Sequence, residues 1–153
     1  MTWGSSLCVP ATSCMSDRLF VDTNILVYAF DRASGAKHDT ARGLVRHLWE
    51  TGTGVLSTQV LQEFAVYLRR KVARSLSANE TRDVLQDYMG WTIVVNTAQS
   101  TLRALEIEER YKISFWDALV IHAAETAGAE IIYTEDLSDG QAYGGVRAVN
   151  PFR

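Results

Sequence analysis

The stretch "LFVDTNILVYA", residues 19–29, places the polar triplet Asp22, Thr23 and Asn24 between two apolar segments. The first segment predicts a short buried strand over 18–21, and the second predicts a helical turn over 24–29. Two interpretations of Asp22 are open. An Asp favours turns and helix N-caps because its carboxylate accepts hydrogen bonds from nearby backbone amides. A carboxylate at the end of a buried strand can also take part in chemistry.

Helix-like and strand-like segments alternate along the rest of the chain. Apolar residues at helical spacing, with start and stop signals, predict helices over 36–49, 58–72, 77–90, 97–111 and 114–127. Short apolar runs predict further strands over 55–57, 91–95, 130–134 and 146–149. Strands that alternate with helices favour a mainly parallel sheet with helices on both faces.

Composition limits the classes of function. A chain of 153 residues with 47% hydrophobic residues fits a soluble globular domain, and no apolar segment is long enough to span a bilayer. The formal net charge of −3 weighs against a passive nucleic-acid binder, which normally carries a basic surface. It does not weigh against an enzyme whose site is itself acidic and binds a metal.

The N-terminal residues are expected to lie outside the domain. Residues 1–15 are predicted to form a mostly irregular extension, and 16–153 a single domain. The extension has neither the basic region nor the continuous apolar region of a secretory signal, so a cytoplasmic protein is expected. Its Cys8 and Cys14 form no zinc-type spacing with the histidines, and a disulfide between them is not expected in the cytoplasm.

Four acidic residues are predicted to meet at one edge of the sheet. Asp22 ends the first strand, and Glu63 lies in the second turn of the helix that follows strand 55–57. Asp117 lies in the first turn of a helix that leads back into strand 130–134, and Asp136 follows that strand by two residues. Because ligands bind at the carboxyl ends of parallel strands, this edge is the expected site.

Clustered carboxylates indicate a divalent cation. Carboxylates packed together raise each other's pKa unless a cation neutralises them. Hard oxygen ligands suit Mg²⁺ or Mn²⁺, which can generate hydroxide from water and stabilise charge on a phosphodiester. Hydrolysis by such a site needs no histidine, cysteine or serine nucleophile.

Each acid also has a purely structural interpretation. Ser114 and Asp117 have the S-x-x-D spacing of a capping box. Glu63 gains from the helix dipole near a helix start, and Asp136 and Asp139 lie in a loop where turn chemistry is common. The inference of a metal site therefore depends on the four positions together.

Four segments in order resemble the motifs of PIN domains, and specifically those of VapC-type toxin ribonucleases. They are "FVDTNILVYA", "STQVLQEF", "ISFWDALVIHAA" and "IIYTEDLSDGQ". The resemblance spans the chain from Leu19 to its C-terminal end. It implies an α/β fold, a PIN-like three-layer α/β/α sandwich with a mainly parallel central sheet. It also implies an endoribonuclease that depends on Mg²⁺ or Mn²⁺.

The resemblance further implies roles for individual residues and for partners. Catalytic metal ligands are implied at Asp22, Glu63, Asp117 and Asp136, with Asn24 and Thr134 as polar supports. Asn24 is also expected to cap the first helix. Many family members have another Asp two residues after the fourth acid, where this chain has Ser138, which leaves the role of Asp139 open. The implied partners are an RNA substrate, a cognate antitoxin and a second copy of the chain.

Two alternatives and one basic cluster complete the sequence-based hypotheses. A non-catalytic PIN-like module that binds RNA or protein would use its acids as caps. A phosphatase of the haloacid-dehalogenase type would need a second Asp at the position of Asn24.

A basic cluster consists of Arg69, Arg70, Lys71 and Arg74. It fits phosphate binding, a solvated helix end or the docking of an acidic partner segment.

Overall fold

The computed structural model describes residues 17–70 and 73–153, so the predicted extension over 1–15 lies outside the described residues. Five parallel strands and one short antiparallel strand form the sheet, and six α-helices cover it in this part of the chain. The strands are β1 Leu19–Val21, β2 Gly54–Ser57, β3 Thr92–Val94, β4 Ile131–Tyr133, β5 Ala142–Tyr143 and β6 Val146–Val149. The helices are α1 Thr23–Phe30, α2 Ala36–Thr51, α3 Thr58–Arg70, α4 Ala78–Asp87, α5 Ala98–Tyr111 and α6 Phe115–Thr126.

The sheet is mainly parallel, as the sequence predicted. Its strand order is β3-β2-β1-β4-β6-β5, and only the β5–β6 pair is antiparallel. Strand β1 lies at the centre, with Leu19 opposite Gly54 on one side and opposite Ile131 on the other. Helix α1 packs against both α2 and α3, α3 packs against α4, α5 packs along α6, and both groups contact the sheet. The predicted three-layer α/β/α architecture is confirmed.

The helix ends follow the capping signals in the sequence. Ser77 accepts a hydrogen bond from the backbone N–H of Glu80, and the Glu80 carboxylate accepts one from the N–H of Ser77, which completes the predicted capping box. Helix α1 begins differently from the prediction. Asp22, and not Asn24, is its N-cap, because the Asp22 carboxylate accepts from the N–H of Thr23 while Asn24 lies inside the helix.

The core is continuous through the sheet and contains an aromatic cluster at its β3 side. Trp91 packs edge-on against Trp49 and Tyr88, with ring centroids 5.9 Å and 5.4 Å apart. The indole of Trp91 also covers Gly54 at the start of β2.

Replacing Gly54 by Ala is expected to destabilise the fold. A Cβ at position 54 would overlap the buried indole ring of Trp91, which is held by two other aromatic rings and cannot move freely. Overpacking of this kind costs about 1–3 kcal/mol of unfolding free energy, measured by urea denaturation. Gly43→Ala is the matched control, since a Cβ there meets nothing within 4 Å in helix α2 and should stabilise by about 0.5–1 kcal/mol. Equal stability of Gly54→Ala and the parent would contradict this account.

Within residues 17–70 and 73–153, none of the helices combines the length and apolar character needed to cross a membrane.

Strand β5, which is two residues long, was not predicted from the sequence.

Candidate metal centre

Three carboxylates from distant parts of the chain meet at the carboxyl edge of the sheet. Asp22 follows β1, Asp117 lies in the first turn of α6, and Asp136 follows β4. Each contributes one oxygen to a group in which all three oxygens lie within 4.8 Å of one another. Asp22 is buried, Asp117 is half-buried and Asp136 is exposed, so the group opens to solvent on one side.

Glu63, the fourth predicted acid, lies beside this group without belonging to it in the described chain. Its two carboxylate oxygens are held separately. Oε2 accepts a hydrogen bond of 2.5 Å from the hydroxyl of Thr23, and Oε1 accepts one of 2.9 Å from the amide of Gln59. The negative charge of Glu63 nevertheless acts on Asp22 and Asp117, where it raises the pKa of both carboxyls.

Asn24 and Thr134 connect the acids, which is the position expected of supporting residues. The Thr134 hydroxyl donates to Asp22 Oδ2 at 2.7 Å and accepts from the backbone N–H of Asp136 at 3.1 Å. The Asn24 amide donates to Asp136 Oδ2 at 2.9 Å and reaches Asp22 Oδ2 at 3.4 Å. Asn24 and Thr134 therefore connect the ends of β1 and β4 to helix α1. They leave carboxylate oxygens of the site available to bind a ligand.

Thr23 and Gln59 were not predicted as site residues, although both donate hydrogen bonds to Glu63. Gln59 is buried and precedes Glu63 by four residues, the spacing that places two side chains on one face of a helix. Its amide also donates to the backbone carbonyl of Trp116 at 3.3 Å. Gln59 therefore links the helix of Glu63 to the helix start that carries Asp117.

Burial and mutual repulsion make the apo site electrostatically unfavourable. Burial raises the pKa of Asp22 to about 7, and the charges of Asp136 and Glu63 add to this, although hydrogen bonds from Thr134 and Thr23 oppose it. Partial burial raises the pKa of Asp117 as well, against a hydrogen bond from Ser114. A cation between the carboxylates would reverse both effects.

The residues present fit a divalent cation with a preference for oxygen ligands. Three carboxylate oxygens, one each from Asp22, Asp117 and Asp136, lie within 4.8 Å of one another. Mg²⁺ and Mn²⁺ take such oxygen sets and keep water in the remaining positions. Neither a histidine nor a cysteine is part of the three-residue group, so a zinc site is not indicated.

An elongated cleft of about 550 Å³ begins at the acidic edge and runs between α1 and α3. Its wall is mostly apolar, with polar groups from the site at one end. The lining residues are Thr23, Asn24, Val27, Tyr28, Gln62, Glu63, Val66 and Tyr67. A ligand in this cleft would have one end next to Glu63.

Asp139 and the basic cluster have different placements. The Asp139 carboxylate accepts a hydrogen bond from the backbone N–H of Asn150, so it ties the loop after β4 to the C-terminal segment. Arg69 and Arg70 are exposed at the end of α3, and Arg74 pairs with Glu80 at 3.2 Å. Lys71, the remaining member of the cluster, lies outside the described residues.

Comparison with known proteins agrees with the resemblance seen in the sequence. The family model described as "PIN domain" matches residues 19–138. No curated protein matches the chain. Residues 19–138 include all six residues predicted for the site.

Solved structures with the same fold include VapC proteins. Mycobacterium tuberculosis VapC20, a Sarcin-Ricin loop cleaving toxin, is 23% identical with a TM-score of 0.59, over 77% of this chain and 89% of its own. A toxin–antitoxin complex from Klebsiella pneumoniae is 20% identical with a TM-score of 0.65, over 88% and 97%. DNA-bound VapBC from Salmonella typhimurium is 16% identical with a TM-score of 0.61, over 86% and 96%. At these identities the likeness establishes the fold.

Proposed function

The chain belongs to the PIN domain family, and we propose that it is a divalent-metal-dependent endoribonuclease, the toxin of a toxin–antitoxin pair. The observation that supports this most strongly is the meeting of Asp22, Asp117 and Asp136, with oxygens within 4.8 Å. These residues are 95 and 19 positions apart along the chain, so local turn or cap chemistry does not account for their proximity.

The proposed catalytic residues have distinct tasks. Asp22, Asp117 and Asp136 would hold Mg²⁺ or Mn²⁺, with Glu63 as the fourth donor at the mouth of the cleft. The cation would supply an activated water and stabilise negative charge on the phosphodiester. Thr134 and Asn24 keep the Asp22 and Asp136 carboxylates in place, and Thr23 and Gln59 do the same for Glu63.

RNA is the substrate that this arrangement fits best. Exposed Arg69 and Arg70 follow Glu63 on the same helix and supply positive charge for the backbone phosphates of a strand that passes the acidic edge. The similar protein from Mycobacterium tuberculosis is a Sarcin-Ricin loop cleaving toxin, and we infer from this likeness that the substrate here is also RNA. The net charge of −3 indicates that binding relies on this local positive patch and on the metal.

We further propose a cognate antitoxin, a homodimer and a cytoplasmic location. Similar structures have been solved as a toxin–antitoxin complex and as a DNA-bound VapBC assembly, which supports a protein partner for this chain. The homodimer rests on the resemblance to VapC-type proteins alone. The cytoplasm is where an RNA substrate and such a partner would be available.

A non-catalytic PIN-like module is the second candidate, and one observation favours it. The Asp22 carboxylate caps α1 by accepting a hydrogen bond from the backbone N–H of Thr23, so this acid already has a structural role. A module of this kind would need no cation at the acidic edge.

Addition of Mn²⁺ is expected to separate the two candidates. The proposed nuclease should cleave RNA with Mn²⁺ or Mg²⁺ and lose that activity in EDTA. Its free energy of unfolding should rise by about 2.7 kcal/mol when Mn²⁺ is 100 times its dissociation constant. Thermal unfolding with Mn²⁺ and with EDTA, together with cleavage of a labelled RNA, measures both effects. An unchanged melting temperature and no metal-dependent cleavage would favour the non-catalytic module.

A further inference from the structure

A second polar cluster adjoins the acidic edge. It contains Glu135, the residue between Thr134 and Asp136. The Glu135 carboxylate accepts hydrogen bonds at both oxygens. Tyr28 donates its hydroxyl proton to Oε1, and Lys37 Nζ lies 2.7 Å from Oε2. Both Glu135 oxygens are therefore bonded to Tyr28 and Lys37, and the lysine balances the charge of the carboxylate.

Aromatic packing holds the two partners of Glu135 in place. Lys37 Nζ lies 4.8 Å from the ring centre of Tyr28 and 5.4 Å from that of Phe152, which is within cation–π range. The two rings meet edge-on with centroids 5.1 Å apart. This arrangement joins helix α1, helix α2, the segment after β4 and the C-terminal segment.

A contribution to the free energy of folding does not adequately explain this cluster. The Lys37 side chain is 45% exposed and that of Glu135 is 21% exposed, and partly exposed ion pairs contribute little to the free energy of folding. The position of Glu135 in the chain is more informative. Its neighbour Thr134 bonds Asp22, and its other neighbour, Asp136, is one of the three clustered acids.

We propose that Tyr28, Lys37 and Glu135 form a positioning clamp that fixes Asp136 for metal binding. The inference rests on the proposed metal-dependent function and assigns residues outside the acidic group to it. The clamp anchors the backbone on one side of Asp136 to α1 and α2, while Asn24 holds its carboxylate from the other side. Loss of the clamp would let the Asp136 segment move relative to Asp22, which weakens cation binding because the ligand oxygens no longer converge.

Two substitutions test the clamp without touching a proposed ligand. Tyr28→Phe removes only the hydroxyl and keeps the ring contact with Phe152. Lys37→Met removes the charge and keeps an apolar stem over the two rings. Both are expected to weaken Mn²⁺ binding measured by calorimetry, and the double variant by about tenfold, the lower end of the cost of losing groups that orient metal ligands.

Lys37→Met also distinguishes positioning from long-range charge effects. Removal of a positive charge near a cation site should tighten cation binding if charge alone matters. The clamp predicts the opposite, weaker binding. Lys112→Met is the matched control, because it breaks a 2.8 Å lysine–glutamate pair at the C-terminal end of helix α5 and should leave Mn²⁺ binding unchanged.

The outcomes separate the clamp from the proposed function. Weaker Mn²⁺ binding in both variants, with a parallel rise in the Mn²⁺ concentration for half-maximal RNA cleavage, supports the clamp. Variants that melt at a lower temperature but bind Mn²⁺ like the parent would overturn the clamp and leave the nuclease proposal intact. A parent protein that does not bind Mn²⁺ would overturn the metal-dependent function, and the clamp with it.

Discussion

Asp117→Asn is expected to lower metal-dependent RNA cleavage by more than about 100-fold while the protein stays folded. Loss of residues that only orient metal ligands typically costs 10–100-fold, so loss of a ligand should cost more. The fold should survive because the cap of α6 uses the backbone N–H of Asp117 and the hydroxyl of Ser114, neither of which the substitution changes. Removal of a half-buried charge that two other acids repel should leave apo stability equal or higher.

Single-turnover cleavage of a labelled RNA with saturating Mn²⁺ measures the rate, and calorimetry measures Mn²⁺ binding. Asp139→Asn is the matched control, since Asp139 only accepts a hydrogen bond from the backbone N–H of Asn150 and lies outside the three-carboxylate group. It should cleave RNA at the parental rate. If Asp117→Asn cleaves as fast as Asp139→Asn, the acidic edge is not the catalytic site.

The meeting of the acids could be predicted because it follows from topology. Alternating strands and helices indicate a parallel sheet, and every carboxyl strand end in such a sheet lies at one edge. Asp22 and Asp136 follow strands β1 and β4, which are neighbours, and Asp117 begins the helix that returns to β4. The same argument placed Glu63 at this edge, where it lies beside the other three acids, and the resemblance to PIN domains implied the same four residues as metal ligands.

The two hydrogen-bonded oxygens of Asp22 show where a sequence pattern stops being informative. Structural and chemical interpretations were weighed as alternatives, yet one carboxylate oxygen caps α1 and the other accepts from Thr134 beside Asp136. A carboxylate has enough lone pairs for both. The cap role predicted for Asn24 was wrong because Asp22 starts the helix earlier, which leaves the Asn24 amide free to bond Asp136.

Contacts between distant side chains were beyond prediction. Tyr28, Lys37 and Glu135 each resemble an ordinary surface residue, and 98 positions separate Lys37 from Glu135. Their pairing depends on the exact packing of α1 and α2 against the segment after β4, which apolar periodicity does not specify. Strand β5 was not predicted for a related reason. Two residues are too few to show the alternation of a strand, and β5 is defined by its pairing with β6.

In the absence of a cation, the contribution of Asp22 to the stability of the protein is expected to fall as pH rises from about 4 to about 7. Burial raises the pKa of Asp22 from 3.8 to about 7, so the folded state holds a proton that the unfolded chain releases near pH 4. Stability from that proton is fully present below the unfolded pKa and is lost as pH rises through the folded pKa. At about 1.4 kcal/mol for each pKa unit, the loss approaches roughly 4 kcal/mol.

Urea denaturation in EDTA at several pH values between 4 and 8 measures this loss, and Asp22→Asn is the reference because it cannot titrate. His122 contributes with the opposite sign, since burial lowers its pKa, but it does so equally in parent and variant and cancels in their difference. Asp117 adds to the loss in both proteins, because its pKa is also raised. Mn²⁺ should suppress the fall in the parent, since a bound cation favours the ionised carboxylate. A parent-minus-variant difference that is independent of pH would mean that burial does not raise the pKa of Asp22 in the folded protein without a cation, and would contradict this prediction.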